Sequence, residues 1–346
     1  MTHAGIPHSR PWITAEDFRA VAEVLKIGMI SQGRAAEAFE EAIGKRLGIG
    51  PGVACASGTA ALILGLGALG VRQGDDVILP TYVCGSVLEA VLSVGAVPRL
   101  CDVGRNGVVT PETVRPHVSD RTAAIVAVHL FGRPCAIPSL QRFNVPIIED
   151  ACQAFGLQID GRPAGAMGDL GILSFHATKC LATGEGGMVV SHNSALMERA
   201  RRLALGRAAA APRIVAPLSD LQAALGLSQL ARYPEFLARR VRIQEAYRET
   251  TAAPGWDAAT GDPGFRFRYT VETDAPFADL QRRFLDCGVQ VRHGVDRLLH
   301  RMAGLPDDGF PNAIRLFDRT VSIPFYPGLT DGEVATVCEA IRTVFR

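Results

Sequence analysis

Three short segments carry residue types that together could do covalent and acid–base chemistry. In the first, 147–153, the apolar pair Ile147 and Ile148 runs into Glu149, Asp150, Ala151, Cys152 and Gln153. A strand of that kind delivers Asp150 to the carboxyl edge of its sheet, where open α/β folds bind ligands. The same aspartate could instead cap a helix or sit in a solvated turn, so alone it decides nothing. The second, 174–179, sets Ser174, Phe175 and His176 ahead of Lys179, with Gly184, Glu185, Gly186 and Gly187 soon after. Most lysines are surface cations. One desolvated between an apolar strand and a glycine run becomes usable as a nucleophile or base, and glycines let backbone approach a ligand closely. The third, 56–61, puts Ser57, Gly58, Thr59 and Ala60 where a strand meets a helix start. Free N–H groups and the positive dipole end there suit a phosphate, although the same residues make an ordinary N-cap.

The hydrophobic pattern supplies the elements that would bring these segments together. Between about residues 53 and 191, apolar runs at 77–79, 123–128, 145–148 and 172–175 alternate with helical stretches at 60–69 and 86–94. Gly95 and Pro98 mark a helix end and a new strand. Such alternation predicts an α/β fold with a mostly parallel sheet covered on both faces. From about Asp220 the pattern changes to a helical region, 221–247, interrupted near Pro234. Segments 265–271, 290–292 and 331–345 then suggest a smaller α+β domain closed by a helix. The expected division is a large domain, 1–235, and a small C-terminal domain, 236–346. The alanine run 208–211, flanked by Arg207 and Arg213, reads as a loop or a helix end.

A chain of 346 residues is long enough for that arrangement. With 48% hydrophobic and 21% charged residues it reads as an ordinary soluble globular protein. Its net charge of +1 argues against nucleic acid or an anionic membrane as the main partner. The eight cysteines are scattered, without a C-x-x-C pair or clustered histidines, which predicts free thiols, no metal site and a cytoplasmic setting. The N-terminus lacks the charged start and apolar run of a signal peptide. The longest apolar stretch, about 59–71, is glycine-broken and too short to span a bilayer.

A Schiff-base lysine, an acid for a ring nitrogen and a phosphate cradle are what pyridoxal phosphate requires. The chain resembles the DegT/DnrJ/EryC1/StrS family, fold-type I pyridoxal-phosphate enzymes that mostly aminate nucleotide-linked keto-sugars. The likeness runs through 6–10, 28–33, 56–61, 74–80, 128–132, 149–153, 168–190, 221–226 and 326–330. It implies an aspartate aminotransferase-like fold in which Lys179 carries the cofactor and moves the proton, and Asp150 pairs with the pyridinium nitrogen. Gln153 is then expected near the phenolic oxygen, Ser174 with Gly58, Thr59 and Ala60 at the phosphate, and Tyr82 stacked on the ring. His176, Arg292 and His293 fall where substrate-facing residues are expected, with plain structural or surface roles as the alternative.

The resemblance further implies a homodimer with a shared site and a ping-pong exchange. An amino acid, L-glutamate, would leave its amine as pyridoxamine phosphate, which then aminates a keto-sugar. One departure stands out. The family carries an Asn before the 221–226 helix that reaches the partner subunit's phosphate, whereas 215–220 here reads Val, Ala, Pro, Leu, Ser and Asp. Arg207 or Arg213 is the candidate substitute. Other readings are a sugar dehydratase, in whose branch histidine replaces the lysine, an aminocyclitol aminotransferase, and a non-catalytic regulatory protein on the same fold.

Overall fold

Each apolar run named above becomes a strand in the computed structural model, which describes residues 5–206, 215–250 and 265–345. The alanine run 208–211, Arg207 and Arg213 lie outside the described residues. In chain order the strands are β1 (Val53–Cys55), β2 (Asp76–Pro80), β3 (Val97–Cys101), β4 (Thr122–Val128), β5 (Ile147–Asp150), β6 (Gln158–Ile159), β7 (Arg162–Pro163), β8 (Leu170–Ser174), β9 (Gly187–Val190), β10 (Tyr269–Glu272), β11 (Arg292–His293) and β12 (Thr320–Ile323). Seven of them form one sheet in the order β1-β9-β8-β5-β4-β2-β3. Pairing is parallel from β3 through to β8. Only β9 is reversed, running antiparallel to both β8 and β1. β2, β5 and β9 are buried along their whole length, so both faces of the sheet are covered, as near-continuous apolar strands require.

The helix Gly58–Leu69 leaves β1 through Ser57, whose hydroxyl accepts the Ala60 N–H at 3.1 Å. Farther along, the helical region divides into Asp220–Ala231 and Tyr233–Thr250. Pro234 falls in the first turn of the second helix, where a missing N–H and a fixed φ are tolerated. Tyr233 and Phe236 on that helix join one buried cluster with Phe39, Phe155 and Phe175. Ile243 and Tyr247 join another with Tyr269, Val321 and Ile341. The second cluster is built on a three-stranded antiparallel sheet, β10-β12-β11. Its central strand, β12, is four residues long and escapes the hydrophobic pattern.

Among the described residues, no helix is long and apolar enough to cross a membrane, and no three His, Cys, Asp or Glu side chains could jointly hold a metal ion. All eight cysteines are free.

Candidate active site

The carboxyl ends of β5 and β8 and the start of the helix Gly58–Leu69 open on one cavity of about 560 Å3, within the ordinary range for small-molecule sites. Asp150, Gln153, Ser174, Gly58, Thr59 and Lys179 all line it.

Asp150 ends β5 and is buried. Its Oδ1 accepts the Cys152 N–H at 2.9 Å, which fixes the carboxylate against the strand end. Glu149, one residue earlier, points the other way, as strand alternation demands. There it accepts the N–H groups of Gly165, Met167 and Gly168 at 2.7–2.9 Å and meets His129 Nε2 at 2.8 Å. The Cys135 N–H donates to His129 Nδ1, so Nε2 carries the hydrogen that Glu149 accepts. Burial pushes the Glu149 carboxyl up, but His129 and the backbone donors outweigh it and hold the group below its usual range. This buried pair joins the ends of β4 and β5 and so sets the position of Asp150.

Among the described residues, Gln153 is oriented by one side-chain hydrogen bond. The Phe131 N–H donates to its Oε1 at 2.8 Å, so the carboxamide oxygen is engaged and its NH2 is the end left for a ligand. Phe131 itself sits at φ 59, a left-handed conformation unusual outside glycine. That strain is held by the Gln153 bond and by the Phe267 N–H, which donates to the Phe131 carbonyl at 3.1 Å.

Lys179 rides a loop between β8 and β9 that closes on itself. The N–H groups of Phe175, Ala177 and Thr183 donate to Gly186, Gly184 and Phe175 carbonyls at 2.7–2.8 Å. A side chain at Gly187 would run into the Ser57 carbonyl, so the glycine run is a packing requirement that brings the lysine loop against the 56–61 turn. Lys179 Nζ lies 5.1 Å from the centroid of the Phe267 ring. Gly58 is equally constrained, because a Cβ there would stand 2.9 Å from Ser174 Cβ and 3.3 Å from Cys152 Sγ.

Other expected residues fall into place differently. Ala60 does not line the cavity, and its N–H is taken by Ser57. His176 does line it, with Nδ1 at 2.9 Å from Thr178 Oγ1 and Nε2 3.6 Å from Glu185. Arg292 is exposed on the cavity wall. Two expectations need correction. Tyr82 is 1% exposed and absent from the cavity wall. Its hydroxyl donates to the Leu316 carbonyl at 3.4 Å, and burial pushes it up to about 12. The chain after β2 turns this ring into the core, and Val83 and Cys84 line the cavity instead, so Tyr82 has no face to offer a cofactor. His293 is stacked between Phe277 and Phe317, with centroids 3.5 Å and 4.8 Å away. It too is held away from the cavity.

The departure at 215–220 has a structural use. Ser219 and Gln222 form a capping box, and Asp220 accepts the N–H groups of Gly33, Ala35 and Ala36 at 2.8–3.2 Å. These residues fix helix starts rather than a ligand.

Sequence reasoning missed His8, Cys84 and Arg268, all on the cavity wall. His8 is buried with Nε2 at 2.9 Å from Ser322 Oγ and Nδ1 at 2.8 Å from Ser9 Oγ. Burial, then Arg268 and Arg292, lower it to about 3, so it is neutral at physiological pH. Its only signal was membership of the 6–10 segment.

A seven-stranded, mostly parallel sheet with one reversed strand, backed by a small antiparallel sheet, is the architecture of the fold-type I pyridoxal-phosphate transferases. The chain belongs to the DegT/DnrJ/EryC1/StrS aminotransferase family, whose sequence pattern it matches over residues 11–342. It is 30% identical to the spore coat polysaccharide biosynthesis protein SpsC of Bacillus subtilis (strain 168), across 99% of this chain and 97% of SpsC. Its fold is similar to that of the aminotransferase TlmJ from Streptoalloteichus hindustanus, at 32% identity and a TM-score of 0.88 over 98% of both chains. The structure of DesI, determined in the presence of its TDP-sugar product, is similar at 29% identity and a TM-score of 0.89, covering 99% of this chain and 93% of DesI.

Proposed function

We propose that this chain is a pyridoxal-phosphate-dependent aminotransferase that moves an amino group from L-glutamate to a keto-sugar carried on a nucleotide. The observation that carries the reading is the convergence of Lys179, Asp150, Gln153, Ser174 and the Gly58–Thr59 turn on one cavity. These groups fit the cofactor's chemistry. Asp150 offers an anion to a protonated ring nitrogen, and the Gln153 NH2 offers a donor to a phenolic oxygen. The first amides of the helix Gly58–Leu69, beyond the one that Ser57 caps, and the Ser174 hydroxyl suit a phosphate. A side chain at Gly58 would fill that cradle.

When bound, pyridoxal phosphate supplies an electrophilic carbon and a ring that withdraws electrons from it. Lys179 holds the group, and its Nζ moves the proton at the carbon that loses or gains nitrogen. Asp150 keeps the ring nitrogen protonated. The keto-sugar acceptor is supported by DesI, whose structure was determined with a TDP-sugar product.

The measurement that tests the reading is the visible absorption of the pyridoxal-phosphate-loaded protein before and after L-glutamate. Conversion of the lysine-bound band to the pyridoxamine form is expected. A band that ignores every amino acid offered would refute an aminotransferase.

A second copy is expected to complete the assembly. Phe18, Leu25, Ile27 and Met29, on and just after the helix Ala15–Ile27, are 57–72% exposed, large apolar side chains that a partner surface would cover. Light scattering is expected to report twice the chain mass at micromolar concentration. A monomer at all concentrations would remove the dimer from the reading.

A further inference from the structure

Arg268 stands on the same cavity wall as Lys179, just ahead of β10. Its guanidinium packs over two rings, 5.8 Å from the centroids of both Phe131 and Phe267. Nη1 donates to the Gly294 carbonyl at 3.0 Å, and it makes no salt bridge with any described carboxylate. Burial lowers its basicity while Asp296 acts on it from a distance, yet a guanidinium stays charged at neutral pH. A half-buried cation without an ion partner is costly unless a ligand supplies the missing anion.

Depth decides which anion. Lys179 Nζ and the Arg268 guanidinium both lie against one ring, 5.1 Å and 5.8 Å from the Phe267 centroid, and both line one small recess of the site. An amino acid carries its carboxylate two bonds from the nitrogen it gives up. The diphosphate of a sugar nucleotide lies at least a sugar ring away from most carbons that could be aminated. An anchor this close to the reactive amine suits the carboxylate, and the exposed Arg292 is better placed for a distant phosphate. Rivals for the inner role are otherwise engaged. Arg240 donates to the carbonyls of Arg266, Phe267 and Phe325, and His8 is uncharged.

We propose that Arg268 binds the α-carboxylate of the amino donor, its planar fork taking both oxygens side by side. This rests on the aminotransferase reading above and adds a specificity residue to it. Arg268 thereby distinguishes an α-amino acid from an amine that lacks the carboxylate.

The test is calorimetric titration of the pyridoxal-phosphate-loaded protein with 2-methyl-L-glutamate, which has no α proton to lose and so reports binding and displacement of Lys179 without transamination. In Arg268→Met the dissociation constant is expected to rise about 50-fold, as loss of a charged hydrogen-bond pair implies, while the lysine-bound absorption band persists. Arg268→Lys keeps the charge but not the fork, and about a tenfold rise is expected there. The preference for L-glutamate over 4-aminobutanoate in the donor half-reaction is expected to collapse in Arg268→Met. An unchanged dissociation constant in both variants overturns the proposal. So does weakened binding of a nucleoside diphosphate with donor binding intact, which would assign Arg268 to the acceptor. Wild-type protein that loads cofactor but binds no amino acid overturns the aminotransferase reading itself, and this inference with it.

Discussion

Lys179→Ala is expected to lower transamination by at least about 10^4-fold, because one side chain both holds the cofactor and moves the proton. The fold is expected to survive. Lys179 is only part-buried, and its Nζ makes no hydrogen bond or salt bridge among the described residues, lying 5.1 Å from the centroid of the Phe267 ring. The loop that carries it is held by backbone bonds that alanine leaves in place. The expected result is therefore a split: turnover lost and the lysine-bound absorption band gone, with the thermal midpoint within a few degrees of wild type. Turnover retained in the variant would sink the assignment, whereas a lost fold would assign Lys179 a structural role that its contacts do not support.

Asp150→Asn comes second, with an expected loss of about 10^3-fold in the donor half-reaction, the scale on which a preorganised charge acts. The substitution is nearly isosteric. Asparagine's carbonyl can keep the Cys152 N–H bond now made at 2.9 Å by Oδ1. What it cannot do is present a negative charge to a protonated ring nitrogen, so the ring would no longer draw electrons effectively. Lys179 is still expected to bind the cofactor, which separates this variant from the first. Stopped-flow absorbance after mixing with L-glutamate measures the rate directly, and a rate within threefold of wild type would mean that Asp150 faces something other than the ring.

Much of this site was legible because strand ends are legible. An apolar run that stops at a carboxylate places that group at the sheet edge, and Asp150 followed this rule, whereas Ser174 was expected in the site only from the family resemblance. The glycines near Lys179 were read as letting backbone approach a ligand, whereas Gly187 packs against the Ser57 carbonyl of the protein itself. Tyr82 was misplaced because the rule says nothing past the strand end. Beyond Pro80 the direction of each side chain depends on how the loop meets Leu316 and Gly294, more than two hundred residues away. Arg268 was hidden for a similar reason. The run Phe265, Arg266, Phe267, Arg268, Tyr269 reads as an alternating strand with its arginines in water, and only the folded chain shows Phe267 beside Lys179. The reversal of β9 was equally invisible, since Gly187–Val190 is as apolar as its parallel neighbours.

That reversed strand has a thermodynamic consequence. A parallel neighbour would have required a helical crossover between β8 and β9, hanging the lysine on a long excursion. Antiparallel return needs no crossover helix, and the lysine loop, residues 175–186, is hydrogen-bonded across its own ends through Phe175 and Gly186 and through Ala177 and Gly184. The entropy of closing a chain segment grows with its length. Cross-bonds inside a loop shorten the segments left free, so this loop has already given up much of its freedom when the protein folds. Little is then left to lose each time the lysine side chain engages or releases its ligand, and the turnover cycle need not order and disorder the backbone that carries its central residue.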